Sequence, residues 1–406
     1  MTPELLSLLL FPIIALVAAL ISTALGRVAR IPLIVFEIVL GLLLGPAVLG
    51  WITKTEFITT LSDVGLAMLF FLAGNEIDFQ RVRGRSLNRS VIGWLISLVL
   101  GVIAGLVFGP TPMAAVFIGI ALTSTALGTI MPVLRDAGEL RTPFGIAVTA
   151  IGAVGEFAPL IAISLFLSGR NLGIASLYLI GFVVIAVIAV WLASRGRHPL
   201  LHRIIRVTLH TSGQFAVRLV IVILVALVAL SLVLGLDMLL GAFVAGLLFR
   251  MLMQEAPDDQ RSAIESKVEA LGFGFLVPVF FINTGVTFDL KGLVDDVQGL
   301  LLLPIFLVLL LVVRGAPSVL AARGGATGHD RVATAFFGAT GLPIIVAVTG
   351  IGVDTGELDT GTAAALIGAG MLSVLLFPLL GLWQRRRSSR YVERAPDEDP
   401  SIVEPG

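Results

Sequence analysis

The segment Ala121-Leu122-Thr123-Ser124-Thr125-Ala126-Leu127-Gly128, with Pro132 close behind, decides how this chain folds. It lies inside an apolar run over 113–135, which is long enough to cross hydrocarbon as a helix, since about 20 apolar residues span a bilayer core. Three consecutive hydroxyl residues followed by a glycine and a proline make a poor helix interior. Gly, Pro and Thr are ordinary in membrane helices, so one such stretch carries little weight alone. A second one, Gly338-Ala339-Thr340-Gly341-Leu342-Pro343, sits at the corresponding place of the run 331–353. Interrupted spans at matching positions of two halves are how many secondary transporters expose backbone groups at mid-membrane.

The rest of the chain agrees with a membrane setting. Hydrophobic residues make up 57%, charged residues only 13%, and mean hydropathy is +1.05, far from a soluble domain, which is about a quarter charged. Thirteen apolar segments are legible: 5–26, 33–50, 62–79, 88–108, 113–135, 141–168, 172–194, 213–235, 237–252, 266–287, 298–322, 331–353 and 360–384. Alternating them across a bilayer with the N-terminus outside places 22 of the 27 basic residues on the inner side. Three fall outside (Lys54, Arg170, Lys291) and two within spans (Arg218, Arg314). That asymmetry obeys the positive-inside rule and supports both the orientation and the odd count, because one missed helix would scramble it.

The expected fold is therefore an all-α polytopic membrane protein with a transmembrane domain over 1–384. Six-helix inverted repeats, about 5–168 and 213–384, are joined by a linking helix at about 172–194, and each repeat carries one discontinuous helix. Residues 385–406 are expected to form a short, disordered cytoplasmic tail. The basic amphipathic stretch Gly196 to His210 is expected to lie along the inner leaflet. Zero net charge gives no hint of a nucleic-acid partner, and the lack of cysteine excludes disulfides, thiol nucleophiles and Cys-based metal sites. No P-loop is present, and no histidine lies within a span, so ATP-driven pumping and a buried Ser-His pair have no residues to rest on.

An ionisable residue at mid-membrane is costly and is a functional candidate for that reason. Two fall near the middle of spans: Glu156, in Ala153-Val154-Gly155-Glu156-Phe157-Ala158-Pro159, and Arg314, in Val312-Val313-Arg314-Gly315. A buried carboxylate holds either a proton or a hard cation and cannot hold both, which is the minimum machinery of an exchanger. Arginine stays protonated, so Arg314 could neutralise Glu156 without entering a proton cycle; a purely structural ion pair is the plainer alternative. Thr123, Ser124, Thr125 and Thr340, at the two interruptions, are supporting candidates. Glu37 is read first as snorkelling to the inner surface and Glu76 as pairing there with Arg81 or Arg83, with an ion path as the second reading of each. The histidines His198, His202, His210 and His329 all map to the inner side, where surface contact is the plainer reading than pH sensing.

At these residues the chain resembles the cation:proton antiporter-2 family of the sodium/proton exchanger superfamily. The likeness runs through Gly41-Leu42-Leu43-Leu44-Gly45-Pro46-Ala47-Val48-Leu49-Gly50, Phe70-Phe71-Leu72-Ala73-Gly74-Asn75-Glu76-Ile77-Asp78 and Ala121-Leu122-Thr123-Ser124-Thr125-Ala126. It continues in Gly241-Ala242-Phe243-Val244-Ala245-Gly246 and Pro278-Val279-Phe280-Phe281. The resemblance implies a core domain with two crossing, partly unwound helices, a separate dimerisation domain, a homodimer, and an elevator-like motion. It puts the ion-carrying carboxylate on helix six, matching Glu156, and a basic partner on helix eleven, a lysine in many relatives, matching Arg314. Electrogenic relatives carry two adjacent aspartates where this chain has Gly155-Glu156, so a single carboxylate is left to bind Na⁺ or K⁺ and H⁺.

The function expected is exchange of Na⁺ or K⁺ for H⁺ at Glu156, in the inner membrane, with no cofactor. Two other readings stand beside it: a sodium-coupled organic-anion symporter of the same architecture, and a non-transporting membrane sensor.

Overall fold

The computed structural model describes residues 3–25, 31–77, 84–166, 172–195, 214–253, 257–295 and 297–392, and within them the chain is helical, with no strand. Ten helices are long and apolar enough to cross a membrane, and three shorter apolar ones, Leu33–Leu44, Gly173–Ala189 and Met238–Leu252, fill the remaining expected spans. In chain order the first half has α1 (Pro3–Leu25), α2 (Leu33–Leu44), α3 (Glu56–Glu76), α4 (Arg85–Phe108), α5 (Pro112–Leu122), α6 (Leu127–Asp136) and α7 (Pro143–Phe166). The linking helix is α8 (Leu172–Arg195). The second half has α9 (Phe215–Val233), α10 (Met238–Leu252), α11 (Asp258–Leu271), α12 (Val277–Thr287), α13 (Leu290–Asp295), α14 (Val297–Leu309), α15 (Gly328–Ala339), α16 (Pro343–Asp354) and α17 (Thr360–Val392). Large apolar side chains on α1, α4, α8, α9 and α14 face outward, among them Leu16, Val107, Leu177, Val233 and Leu301; a surface so apolar is made for lipid.

Three boundaries depart from the sequence expectation. The second span stops at Leu44 instead of running to residue 50, because Pro46 forces Gly45 into extended backbone, and the chain then turns back with Leu49 and Trp51 N–H bonding to Leu43 and Leu44 C=O. The tenth span begins earlier: the polar helix α11 runs into α12 through a wide turn at Gly272–Leu276, next to Pro278, which has no N–H to give the Gly274 carbonyl. The last helix continues to Val392, so residues 385–392 are helical and not a disordered tail. Arg385 anchors that extension, with Nη1 2.6 Å from Asp330 and Nε 3.0 Å from Glu139. Residues 393–406, the stretch 196–213 with His198, His202 and His210, and Asp78, Arg81 and Arg83 lie outside the described residues.

Two helix crossings hold α2, α3, α10 and α12 together, and both are made backbone to backbone. A Cβ on Gly41 would run into the Ile282 carbonyl, and one on Gly285 into the Ile38 carbonyl. In the other crossing, a Cβ on Gly74 would meet the Phe243 carbonyl and one on Gly246 the Phe71 carbonyl. Only glycine permits helices to approach so closely. Four residues form each contact in the same way: a large residue and a glycine three positions later, on both partners.

Candidate ion-binding site

The two interruptions are observed where the sequence places them, and local hydrogen bonds account for each. At the end of α5 the Thr123 and Ser124 hydroxyls donate back to the Ile120 and Ala121 carbonyls at 2.9 and 2.8 Å, a local bond that competes with continuing the helix. The chain passes through Thr125 and Ala126 and resumes as α6. At the end of α15 the Thr340 hydroxyl donates to the Phe336 carbonyl at 3.0 Å, and Pro343 starts α16 at a position where its missing N–H costs nothing. The breaks are bonded to each other: Ala126 N–H donates to the Thr340 carbonyl at 2.8 Å. Ser373 of α17 clamps the second break, accepting from Gly341 N–H at 3.1 Å and reaching the Gly341 carbonyl at 3.0 Å.

Glu156 lies beside this meeting point for a reason written into α7. Pro159 has no N–H, so the Gly155 carbonyl lacks its usual in-helix donor, and Thr125 N–H takes the vacancy at 2.9 Å. The first break is thereby tied to the residue next to Glu156. The Glu156 side chain is fully buried and neither carboxylate oxygen has a hydrogen-bond partner. Leu127 N–H, at the start of α6, faces the carboxylate without closing a bond of ordinary geometry. A helix N-terminus is a favourable place for negative charge. An ionised carboxylate sealed without a partner costs several kcal/mol all the same, which makes Glu156 the most costly acidic position among the described residues.

Arg314 is also fully buried, in a wide helical turn over Leu310–Gly315 that continues α14. It makes no ion pair with Glu156. Its Nε donates to Thr125 Oγ1 at 2.7 Å and its Nη2 to the Ile151 carbonyl at 2.8 Å, while Thr125 Oγ1 donates onward to the Gly338 carbonyl at 2.7 Å. Thr125 thus joins α7, α15 and the arginine, and the guanidinium lies where a Cβ on Gly155 would have to go. Arg314 ties the crossing together through these bonds, with its guanidinium beside the residue that precedes Glu156. The hydroxyls of Thr123, Ser124 and Thr340 are committed to their own helix ends.

Of the two outlying carboxylates, Glu37 departs from its first reading, whereas Glu76 is ion-paired as expected, with Arg135 as the partner among the described residues. Glu37 is 2% exposed, which rules out snorkelling, and it lines a cavity of about 510 Å³ between α2, α6 and α12. Glu76 pairs with Arg135, the last basic residue of α6, at 2.6 Å; Glu269 of α11 approaches the same arginine at 3.3 Å. His329 Nδ1 is 2.8 Å from Gln384 Oε1, an inter-helix contact at the surface. Sequence reasoning did not single out Ser373, Arg135 or the carbonyls of Ile151 and Gly338. Carbonyls leave no trace in side-chain chemistry, and Ser373 is a lone hydroxyl in an apolar run.

A fully buried, unpartnered carboxylate where two interrupted membrane helices meet defines the class: a multi-pass secondary transporter. The chain belongs to the sodium/hydrogen exchanger family; the family described as "Sodium/hydrogen exchanger, transmembrane" matches residues 13–382. It is 28% identical over 382 residues to the Na⁺/H⁺-K⁺ antiporter GerN of Bacillus cereus, covering 88% of this chain and 90% of that one. It is 26% identical over 312 residues to a Na⁺/H⁺ antiporter of Enterococcus hirae, covering 74% and 78%. Its fold is shared with the sodium proton antiporter MjNhaP1 of Methanocaldococcus jannaschii, with a TM-score of 0.67 at 17% identity over 95% of this chain and 98% of that one.

Proposed function

We propose that this protein is a monovalent cation:proton antiporter that exchanges Na⁺ or K⁺ for H⁺ at the single carboxylate of Glu156. The observation that carries the reading is that carboxylate itself, fully buried with both oxygens unpaired at the bonded crossing. A proton satisfies it, and so does a desolvated cation, and the two exclude each other. The names of the relatives, GerN above all, support Na⁺ and K⁺ as the cations. The elevator-like motion proposed here would carry α4 to α7 and α14 to α17 as one body. The glycine crossings of α2 with α12 and α3 with α10 would form the scaffold, which is also the proposed homodimer surface. The proposed setting is the inner membrane, N-terminus outside and C-terminus cytoplasmic, as the basic residues argue.

The test is proton flux in proteoliposomes carrying a pH-sensitive dye, on addition of NaCl or KCl. Wild type should answer one or both salts. Glu156→Gln should assemble and answer neither, because an amide binds no proton and offers a cation no full charge. Salt-driven flux surviving in that variant removes Glu156 from the mechanism.

A further inference from the structure

Outside the Glu156 crossing, one buried ionisable side chain has no role yet. Glu37 on α2 is 2% exposed, and the buried charged residues among those described are Glu37, Glu156 and Arg314 alone. Its place is more informative than its burial. The cavity of about 510 Å³ that Glu37 lines follows α6, taking in Asp136, Arg135, Val133, Pro132 and Thr129. Thr129 is two residues from Leu127, whose N–H faces Glu156. The cavity therefore runs from the Arg135 end of α6 to within a turn of the exchange site, and Glu37 faces it from the opposite helix. At the mouth, Arg135 is matched by Glu76 at 2.6 Å and Glu269 at 3.3 Å, and Asp136 adds a third carboxylate. Among the described residues of this cluster, Glu76, Glu265, Glu269 and Asp136 set four formal negative charges against the two positive ones of Arg135 and Arg250; that excess attracts cations, and a cleft with low-dielectric walls focuses the field inward.

The geometry points to Glu37 as a cation-capture residue: we propose that its carboxylate holds a partly hydrated monovalent cation in this cavity before the cation passes to Glu156. The proposal rests on the antiport reading above and adds a second, one-sided station to it. Glu37 belongs to the scaffold, being held by the Gly41 and Gly285 crossing, whereas Glu156 belongs to the body proposed to move. Glu37 also lines a second cavity of about 480 Å³ toward α1 and the start of α3, where it is the only charged residue in the lining; the acidic cluster lies on the Arg135 side, so Glu37 raises the local cation concentration on that face and carries nothing across. Its removal should weaken capture on that face and spare the exchange chemistry.

The experiment compares Glu37→Gln and Glu37→Asp with wild type in membrane vesicles of the two orientations, measuring the cation KM and the maximal rate on each face. For Glu37→Gln the KM should rise about tenfold, the scale of one lost charged contact, when the cation is offered on the Arg135 side. It should move less than twofold on the other side. Glu37→Asp, which keeps the charge, should restore most of the affinity. Equal KM in all three proteins overturns the proposal. So does a fall in maximal rate shared by Gln and Asp with KM unchanged, which would mark Glu37 as a packing residue, and so does a KM rise of the same size on both faces. Glu156→Gln measured in the same vesicles separates the two readings: if it is dead while Glu37→Gln matches wild type, the capture station fails and the exchange site stands.

Discussion

At the scale of single residues, Gly155 decides more than its size suggests. The adjacent position is where the resemblance places a second acid in two-carboxylate relatives, and here a Cβ would collide with the Arg314 guanidinium and Thr125 Oγ1. The two features belong together: an arginine fills the space that a side chain on residue 155 would need. Gly155→Asp alone should therefore not create a second ion site. It should disturb the Thr125 contacts and cut salt-driven proton flux at least tenfold. Gly155→Asp combined with Arg314→Lys, which trades the planar fork for a slimmer ammonium, should recover part of the rate, and rate measurements on the single and double variants check it. A double variant no better than the worse single one would show that sterics at residue 155 are not what Arg314 controls. The positions of Glu156 and Gly155 were legible as candidates: ionisable and small residues announce themselves in an apolar span. What each touches was not legible, since Arg314 spends its donors on a hydroxyl and a carbonyl and not on Glu156.

At the scale of elements, both interruptions were readable because they are local chemistry. Hydroxyls that bond back one turn and prolines that lack a donor act within a few residues, whatever the tertiary context. The early stop of α2 and the polar start of the tenth span were missed because hydropathy averages over such local events. The helix crossings left a trace that only the structure makes meaningful. Ile38-Val39-Leu40-Gly41-Leu42-Leu43 on α2 resembles Phe243-Val244-Ala245-Gly246-Leu247-Leu248 on α10, and Phe71 to Gly74 on α3 matches Ile282 to Gly285 on α12 in spacing. Each motif packs against the other kind, α2 on α12 and α3 on α10, which supports the inverted-repeat plan. Gly246→Ala and Gly285→Ala should each lower the thermal midpoint in detergent, because backbone faces backbone and neither side can yield; overpacking costs about 1–3 kcal/mol. Gly173→Ala and Gly350→Ala are the controls, since nothing lies within 4 Å of a Cβ at either position, and in a helix alanine is better than glycine by up to about 1 kcal/mol. Opposite signs for the two pairs are expected; equal effects would mean the crossings have room to relax.

At the scale of the whole molecule, the remaining question is how much charge moves per cycle, and it follows from counting buried ionisable groups. Among the described residues there are three: Glu156 at the crossing, Arg314 beside it and Glu37 on the scaffold. Arginine is the side chain least prone to release a proton, and Glu37 on the reading above stays where it is while the core moves. One alternating site remains. If Glu156 carries one proton in one direction and one monovalent cation in the other, the two loaded forms have equal charge and the exchange is electroneutral. Moving an elementary charge through 100 mV is worth about 2.3 kcal/mol, which would change the equilibrium mass-action ratio roughly fiftyfold, or the proton ratio of a two-proton exchange about sevenfold, so the distinction is easy to see. Proteoliposomes clamped at 0 and at −100 mV, with a lipophilic ion in place of valinomycin wherever K⁺ is itself carried, should reach the same pH gradient for the same sodium gradient. An end point that shifts with voltage would reveal a second titrating group in the cycle. A shift lost in Glu37→Gln would place that group on α2 and contradict its role as a stationary capture residue. One that persists in that variant would mean that charge crosses by a group outside these three.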